Sequence, residues 1–271
     1  MGRSIADLGA PIGSGRTAEI YAWESGRALK LFRPDHAHDV EEEHAATRLA
    51  GERGAPAPEV FGIEEVEGRP GVVMERVEGE SMLALMVRKP WRTRGYSRLL
   101  AEMQWDLHQL RATGLRDQKR ELRHDIERGV GLSDADRAAV LDLLDRLPAG
   151  DRLCHWDFHP DNIIITKRGP VIIDWIQAQA GNPVADFGRT TVLFAAGTMP
   201  DHVRAWKRVL LERGRRYCTE VYAARYRQLA RPDPRERRDW RTVVCAARLR
   251  EVGSPEHDRL LALVREQMGT G

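Results

Sequence analysis

Apolar residues follow two different rhythms along this chain. From Pro11 to Glu75 they gather in short runs cut by glycine and proline, the spacing of β-strands. Pro11–Trp23 reads as strand, glycine-bearing turn and strand, and Ser25-Gly26-Arg27 turns the chain into Ala28–Phe32. Glu59–Ile63 and Arg69–Glu75 form a second pair, with Glu67-Gly68 between them. Asp39–Arg53 interrupts as a helix with its acids early, where the macrodipole favours them, and Gly54-Ala-Pro-Ala-Pro58 ends it. From Ser81 the rhythm becomes helical. Leu100, Met103, Leu107 and Leu110 mark one face of a helix from about Tyr96 to Thr113-Gly114. Ser133 reads as the N-cap of another, with Val140, Leu143, Leu144 and Leu147 inward and Pro148-Ala-Gly150 as its stop. Residues 200–230, 235–252 and 255–268 read as helices, the last opened by Ser254-Pro255. Trp206, Tyr217, Tyr222, Tyr226 and Trp240 read as core.

Composition narrows the class. At 271 residues, 42% hydrophobic and 31% charged, the chain has the makeup of a soluble globular protein. Cys154, Cys218 and Cys245 are odd in number, far apart and without metal-ligand spacing, so they read as buried hydrophobes in a reduced, cytoplasmic protein. Met1–Gly15 lacks the basic start and apolar core of a signal peptide, and the run Val192–Ala196 is too short to span a bilayer, so no membrane partner is expected. The net charge of +2 hides an asymmetry: residues 201–250 carry 15 Arg and Lys against six Asp and Glu. Their interspersion with apolar residues at helical spacing is that of a solvated helix face, and no nucleic-acid partner is expected.

The chemistry concentrates in Leu153–Trp175. Ile163–Ile165 and Val171–Ile173 read as two strands joined by Thr166-Lys-Arg-Gly-Pro170, with Gly169 supplying φ > 0. The hairpin brings Asn162, just before one strand, to the same end as Asp174, just after the other. Asp157, five positions before Asn162, completes a pattern suited to phosphoryl transfer. There an Asp accepts the attacking hydroxyl's proton, while an Asn and a second Asp hold metal against nucleotide phosphates.

The same stretch, L-C-H-W-D-F-H-P-D-N-I-I-I-T-K-R-G-P-V-I-I-D-W, resembles the aminoglycoside phosphotransferase and choline kinase-like family. His155, Asp157, His159, Pro160, Asn162, Asp174 and Trp175 match that family's motif. Trp156 and Asp161 depart from it, each standing where glycine is usual (Ser is also found at the second), and the Trp156 ring is expected to narrow an acceptor site. Gly181-Asn-Pro-Val-Ala-Asp186 resembles a following motif, with Asp186 expected to cap the next helix or bond the loop backbone.

The resemblance implies an α+β, two-lobed protein-kinase-like fold, with residues 1–76 as the nucleotide-binding lobe and 77–271 as a helical catalytic and acceptor-binding lobe. It implies ATP and Mg²⁺ as cofactors and a small-molecule hydroxyl as acceptor. Gly13 and Gly15 would let backbone N–H groups approach phosphates, with Ser14, Arg16 and Thr17 in the same turn as further donors. Lys30 stands where the family keeps the lysine that grips the α- and β-phosphates. A helix Glu would hold it; counting back from Pro56, Glu43 fits best, then Glu42, then Glu41. Adenine would meet backbone at Glu75 and Val77, with Met74 behind the ring. Asp157 would be the base, with His159 near the transferred group and His155 bracing the loop; Asn162 and Asp174 would hold metal.

Two other classes stand beside this reading. A catalytically inactive kinase-like nucleotide binder would normally lack an Asp or the Lys, and none is missing. A protein kinase would show a third loop glycine, Asp-Phe-Gly and Ala-Pro-Glu after the loop, and none is present. The expected state is a monomer or weak homodimer. ATP versus GTP and the acceptor are not written in side chains.

Overall fold

The computed structural model describes residues 4–196, 205–251, 253 and 256–268, with backbone alone for 196, 205–210 and 268. In chain order the elements are β1 (Gly13–Ser14), β2 (Ala18–Trp23), β3 (Arg27–Phe32), α1 (Val40–Glu52), β4 (Val60–Val66), β5 (Arg69–Glu75), β6 (Glu80–Ser81), α2 (Met82–Arg88), α3 (Thr93–Leu107), β7 (Arg116–Asp117), α4 (Gln118–Arg128), α5 (Asp134–Arg146), β8 (Arg152–Cys154), β9 (Ile163–Thr166), β10 (Gly169–Ile172), β11 (Gln179–Gly181), α6 (Pro183–Ala196), α7 (Ala205–Ala230), α8 (Pro234–Arg248) and α9 (Glu256–Met268). The fold is α+β, with an antiparallel sheet in the N-terminal part and helices in the C-terminal part. Two compact units form: Met1–Leu85 with Pro160–Ala178, and Met86–His159 with Gln179–Gly271.

The first unit is built on a five-stranded sheet in the order β1-β2-β3-β5-β4. Glu67 (φ 50°) and Gly68 (φ 75°) make the β4–β5 turn in the left-handed region that a two-residue hairpin requires. The unit also holds a smaller sheet, β10-β9-β6. Here Gly79 passes so close to β9 that an added Cβ would stand 2.3 Å from the Ile165 carbonyl oxygen.

The second unit packs α4, α5, α6, α8 and α9 around a core that includes Val140, Leu144, Trp240, Val244 and Val264. Asp117, Ser133 and Asp233 cap α4, α5 and α8 by accepting from the first-turn amides. α3 and α7 pack together beside it. A short sheet, β7-β11-β8, carries the chain into and out of this core.

Several sequence expectations shift. The helix expected to run to Thr113 ends at Leu107. Residues beyond it pair with β8 instead, Leu153 N–H donating to Leu110 O (2.9 Å) and Ala112 N–H to Asp151 O (2.9 Å). Tyr222, Tyr226 and Trp240 are core, but Tyr217 is exposed on the outer face of α7. The Ser254-Pro255 cap and the Trp206 side chain lie outside the described residues. All three cysteines are buried and free. Among the described residues no helix is long and apolar enough to cross a membrane.

Candidate active site

Strand alternation decides where Lys30 points. Leu29 and Leu31 enter an apolar layer with Tyr21, Val66 and Val73. Phe32, on the opposite face of β3, packs against Val40 of α1, and Lys30 shares that face. α1 in turn buries Val40, Glu43, Ala46, Thr47 and Ala50, a three-and-four spacing that includes one acid of its trio. Glu43 is 1% exposed, whereas Glu41 and Glu42 lie on the surface. The Lys30 Nζ is 2.9 Å from Glu43 Oε2 and donates to Asp174 Oδ1 at 2.7 Å. Burial disfavours the ammonium, but the two carboxylates outweigh it and hold Lys30 protonated above the usual lysine range. Burial also pushes the Glu43 carboxyl up, with Lys30 opposing.

Asp174 reaches Lys30 through the β9–β10 hairpin. Its register pairs Ile163 with Ile172 and Thr166 with Gly169 (φ 123°), so Lys167 and Arg168 alone make the turn and both strands run closer to it than the sequence suggests. Ile173 N–H donates to Asn162 O at 3.0 Å, so Asn162 and Asp174 flank the end of the ladder opposite the turn. Asp174 itself is left-handed (φ 65°), and buried Trp175 anchors the bend by donating to Ile172 O at 2.9 Å. An amide oxygen and a carboxylate at one end of a rigid hairpin are hard oxygen donors, the set that suits Mg²⁺. Asp161 is exposed in the turn before Asn162, so an acid there meets no steric demand.

The Gly13–Thr17 turn is closed by Gly15 N–H donating to Ala18 O (2.9 Å) and by Arg33, which donates to Ser14 Oγ (3.3 Å). Arg16 is exposed and Thr17 half-buried. Neither Gly13 nor Gly15 has positive φ, and a Cβ at either would meet only ordinary contacts of 3.5 Å or more. The fold itself does not require glycine there. Met74 packs at the edge of the cluster containing Phe32 and Val72. Glu75 closes β5 with its N–H committed to Glu59 O (2.7 Å) and its carboxylate to Arg168; half-buried Val77 follows in loop.

The second unit carries the His155–His159 loop. His155 is fully buried, its Nδ1 accepts from Asp157 N–H (3.3 Å), and its ring packs edge-on against Phe158. His159 Nε2 stands 3.5 Å from Asp157 Oδ2. Burial works to raise the Asp157 carboxyl, but the His159 hydrogen bond and the charges of His159, His155 and Arg189 hold it well below the usual range.

Beneath the loop lies Asp186, in the first turn of α6 and wholly buried. It accepts from Trp156 N–H (2.9 Å) and His155 N–H (3.3 Å), and from Gln104 Nε2 (3.1 Å); His108 Nε2 is 3.0 Å away. Burial opposes its charge, yet the His108 hydrogen bond and neighbouring partners hold the carboxyl below its ordinary value. Asp186 therefore bonds the loop; the capping oxygen belongs to Asn182, which accepts from Val184 N–H at 2.8 Å. His108, with its other nitrogen 2.6 Å from Tyr226 Oη, is a buried brace. His108, Cys154 and Asp186 place donor atoms within 4.8 Å of one another, but these hydrogen bonds already occupy the His and Asp. The sequence places the Trp156 ring beside an acceptor site; the residue is 4% exposed and belongs to the helical core instead.

A family model described as "phosphotransferase enzyme family" matches residues 9–240. Among solved structures, an amicoumacin kinase in complex with AMP-PNP, Ca²⁺ and Ami aligns at TM-score 0.62 and 13% identity, covering 99% of this chain and 90% of that one. An aminoglycoside-3'-phosphotransferase of type VIII aligns at TM-score 0.57 and 16% identity, covering 89% and 92%. An aminoglycoside phosphotransferase of Streptomyces rimosus aligns at TM-score 0.54 and 20% identity, covering 89% and 94%. Identities this low show the fold alone. No curated protein matches by sequence.

Proposed function

The chain belongs to the phosphotransferase enzyme family, and from that premise we propose that it transfers the γ-phosphoryl group of ATP to a hydroxyl of a small molecule. The observation that carries this reading is the buried Lys30–Glu43–Asp174 cluster. An ammonium between two carboxylates contributes little to stability once desolvation is counted. A site that must grip phosphates and metal gives it a purpose.

In this reading Lys30, held by Glu43, binds the α- and β-phosphates. Gly13 and Gly15, which the fold does not demand, leave room for phosphate beside the Ser14, Arg16 and Thr17 donors. Adenine meets Met74 and backbone at Glu75 and Val77. Asn162 and Asp174 hold Mg²⁺, which when bound neutralises phosphate charge. The acceptor oxygen attacks the γ-phosphorus, the bond to the β–γ bridging oxygen breaks, and ADP leaves. Asp157 takes the hydroxyl proton, and His159, beside it, steadies its charge. A carboxylate held ionised at any physiological pH suits a reaction in which positioning outweighs proton abstraction.

The acceptor we propose is neutral or anionic. Arg213, Arg216, Arg227, Arg231, Arg235 and Arg238 are exposed on α7, α8 and the turn between them. Of the acids Glu220, Asp239, Glu251 and Glu256, the last two are taken by arginines, Glu251 by Arg189 and Arg248 and Glu256 by Arg248, which leaves Glu220 and Asp239 among six exposed arginines.

A screen of hydroxyl compounds monitored by ADP release tests the activity. With a productive acceptor, Asp157→Asn should lower turnover by roughly 10²–10⁴-fold at nearly unchanged Mg²⁺-ATP affinity. Saturating Mg²⁺-ATP that neither raises the melting temperature nor releases heat refutes the reading.

A further inference from the structure

Trp156 holds a backbone conformation that side chains avoid. Its φ is 67°, in the left-handed region where a Cβ is strained, and the residue precedes Asp157 directly. Such a conformation persists only where the surroundings impose it. Here both of its backbone polar groups are fixed by one face of α6. The N–H donates to Asp186 Oδ1 at 2.9 Å, and the carbonyl accepts from Arg189 Nε at 3.2 Å. Asp186 and Arg189 are three positions apart, the spacing that places two side chains side by side on a helix. The Arg189 guanidinium also lies 5.5 Å from the centroid of the Trp156 ring.

Arg189 is buried, 1% exposed, and spends its far end on Glu251 Oε2 at 2.6 Å. Glu251 lies just past α8 and also takes Arg248 (3.1 Å), which in turn reaches Glu256 of α9 (2.7 Å). A chain of buried and half-buried charges therefore runs from the last two helices to the carbonyl preceding Asp157. We infer that Arg189, oriented by Glu251, is a positioning residue: with Asp186 it clamps Trp156 in its left-handed turn and so fixes the direction of Asp157. The inference rests on Asp157 being the base. The Arg189 charge also helps to keep the Asp157 carboxyl ionised, after the larger contribution of His159.

A purely structural role would tie α6 to the end of α8 and leave the loop indifferent. Arg189→Lys separates the two. Lysine keeps the charge facing Glu251, but its single ammonium lacks the planar fork that serves Trp156 O and Glu251 together. The expected result is a melting temperature within about 2 °C of wild type. Amide exchange over residues 153–159 should quicken about tenfold or more, the mark of a local opening. Turnover on the acceptor from the screen should fall about tenfold or more with KM for ATP within about twofold, a loss confined to the transition state. Unchanged exchange and unchanged turnover in folded Arg189→Lys overturn the inference. Should that variant not fold, Glu251→Gln, which keeps the shape and removes the charge, is held to the same two readouts. If the wild-type protein phosphorylates nothing, the proposed function fails, while loop exchange in these variants still decides whether Arg189 holds the loop.

Discussion

Replacing Lys30 with methionine removes the cation between two carboxylates of very different exposure. The Glu43 side chain is 1% exposed and that of Asp174 is 37% exposed. Asp174 keeps its water, so losing its partner costs about 0–1 kcal/mol. Glu43 has no such refuge, and an unpaired buried carboxylate costs about 3–5 kcal/mol. It escapes by taking up a proton. In Lys30→Met the folded pKa of Glu43 is raised above its unfolded value, so the penalty is absent below about pH 4.3 and grows as pH rises. The growth is about 1.4 kcal/mol per pH unit until the folded pKa is passed. Urea denaturation followed by circular dichroism at pH 5 and pH 8 measures this. Lys30→Met should be only slightly destabilised at pH 5 and should lose about 3–5 kcal/mol at pH 8. The double variant Lys30→Met/Glu43→Gln should recover most of the pH 8 loss. A loss equal at both pH values, or one that persists without the Glu43 charge, refutes the reasoning.

Three further expectations follow from the same geometry. Asp174→Asn should abolish most of the melting-temperature increase given by saturating Mg²⁺-ATP, and EDTA should do the same to wild type, both read by thermal denaturation. Gly79→Ala should destabilise by about 2–4 kcal/mol, because its Cβ meets the Ile165 carbonyl oxygen at 2.3 Å and backbone has to move; urea midpoints check it. Among acceptors, neutral or anionic hydroxyl compounds should be phosphorylated and polycationic aminoglycosides poorly; steady-state kcat/KM near about 10⁴ M⁻¹s⁻¹ on any aminoglycoside refutes the charge argument.

What the sequence discloses, and what it hides, follows from how far each interaction reaches. Lys30 between Leu29 and Leu31 is a period-two signal, and a strand buried on both faces turns it into a placement. Glu43 is singled out among three acids by counting back from Pro56, and the buried face it shares with Ala46, Thr47 and Ala50 agrees. The Asn162–Asp174 hairpin is local and legible. α4 is not: Leu122 and Ile126 are its only buried apolar residues, too faint a stripe among so many charges. Trp156 reads as an obstacle beside a site because nothing local reveals the core that its ring enters. Arg189 and Glu251 are 62 positions apart, and no spacing rule links them. Arg189 does carry one signal, its place three residues beyond Asp186.

The interleaving of the first unit has a consequence for how the protein is made. Strands β1–β5 can pair as they leave the ribosome, yet Asp174 emerges 144 positions after Lys30. At about 5–20 residues per second, that interval is on the order of 7–30 seconds. During it the nascent chain holds its buried lysine over one carboxylate, and β6 waits for β9. The hairpin that brings Asp174 is the closing stitch, and it arrives only after α3, α4 and α5 have been synthesised. A fragment ending at Leu85 therefore cannot complete this unit, however well its own sheet forms.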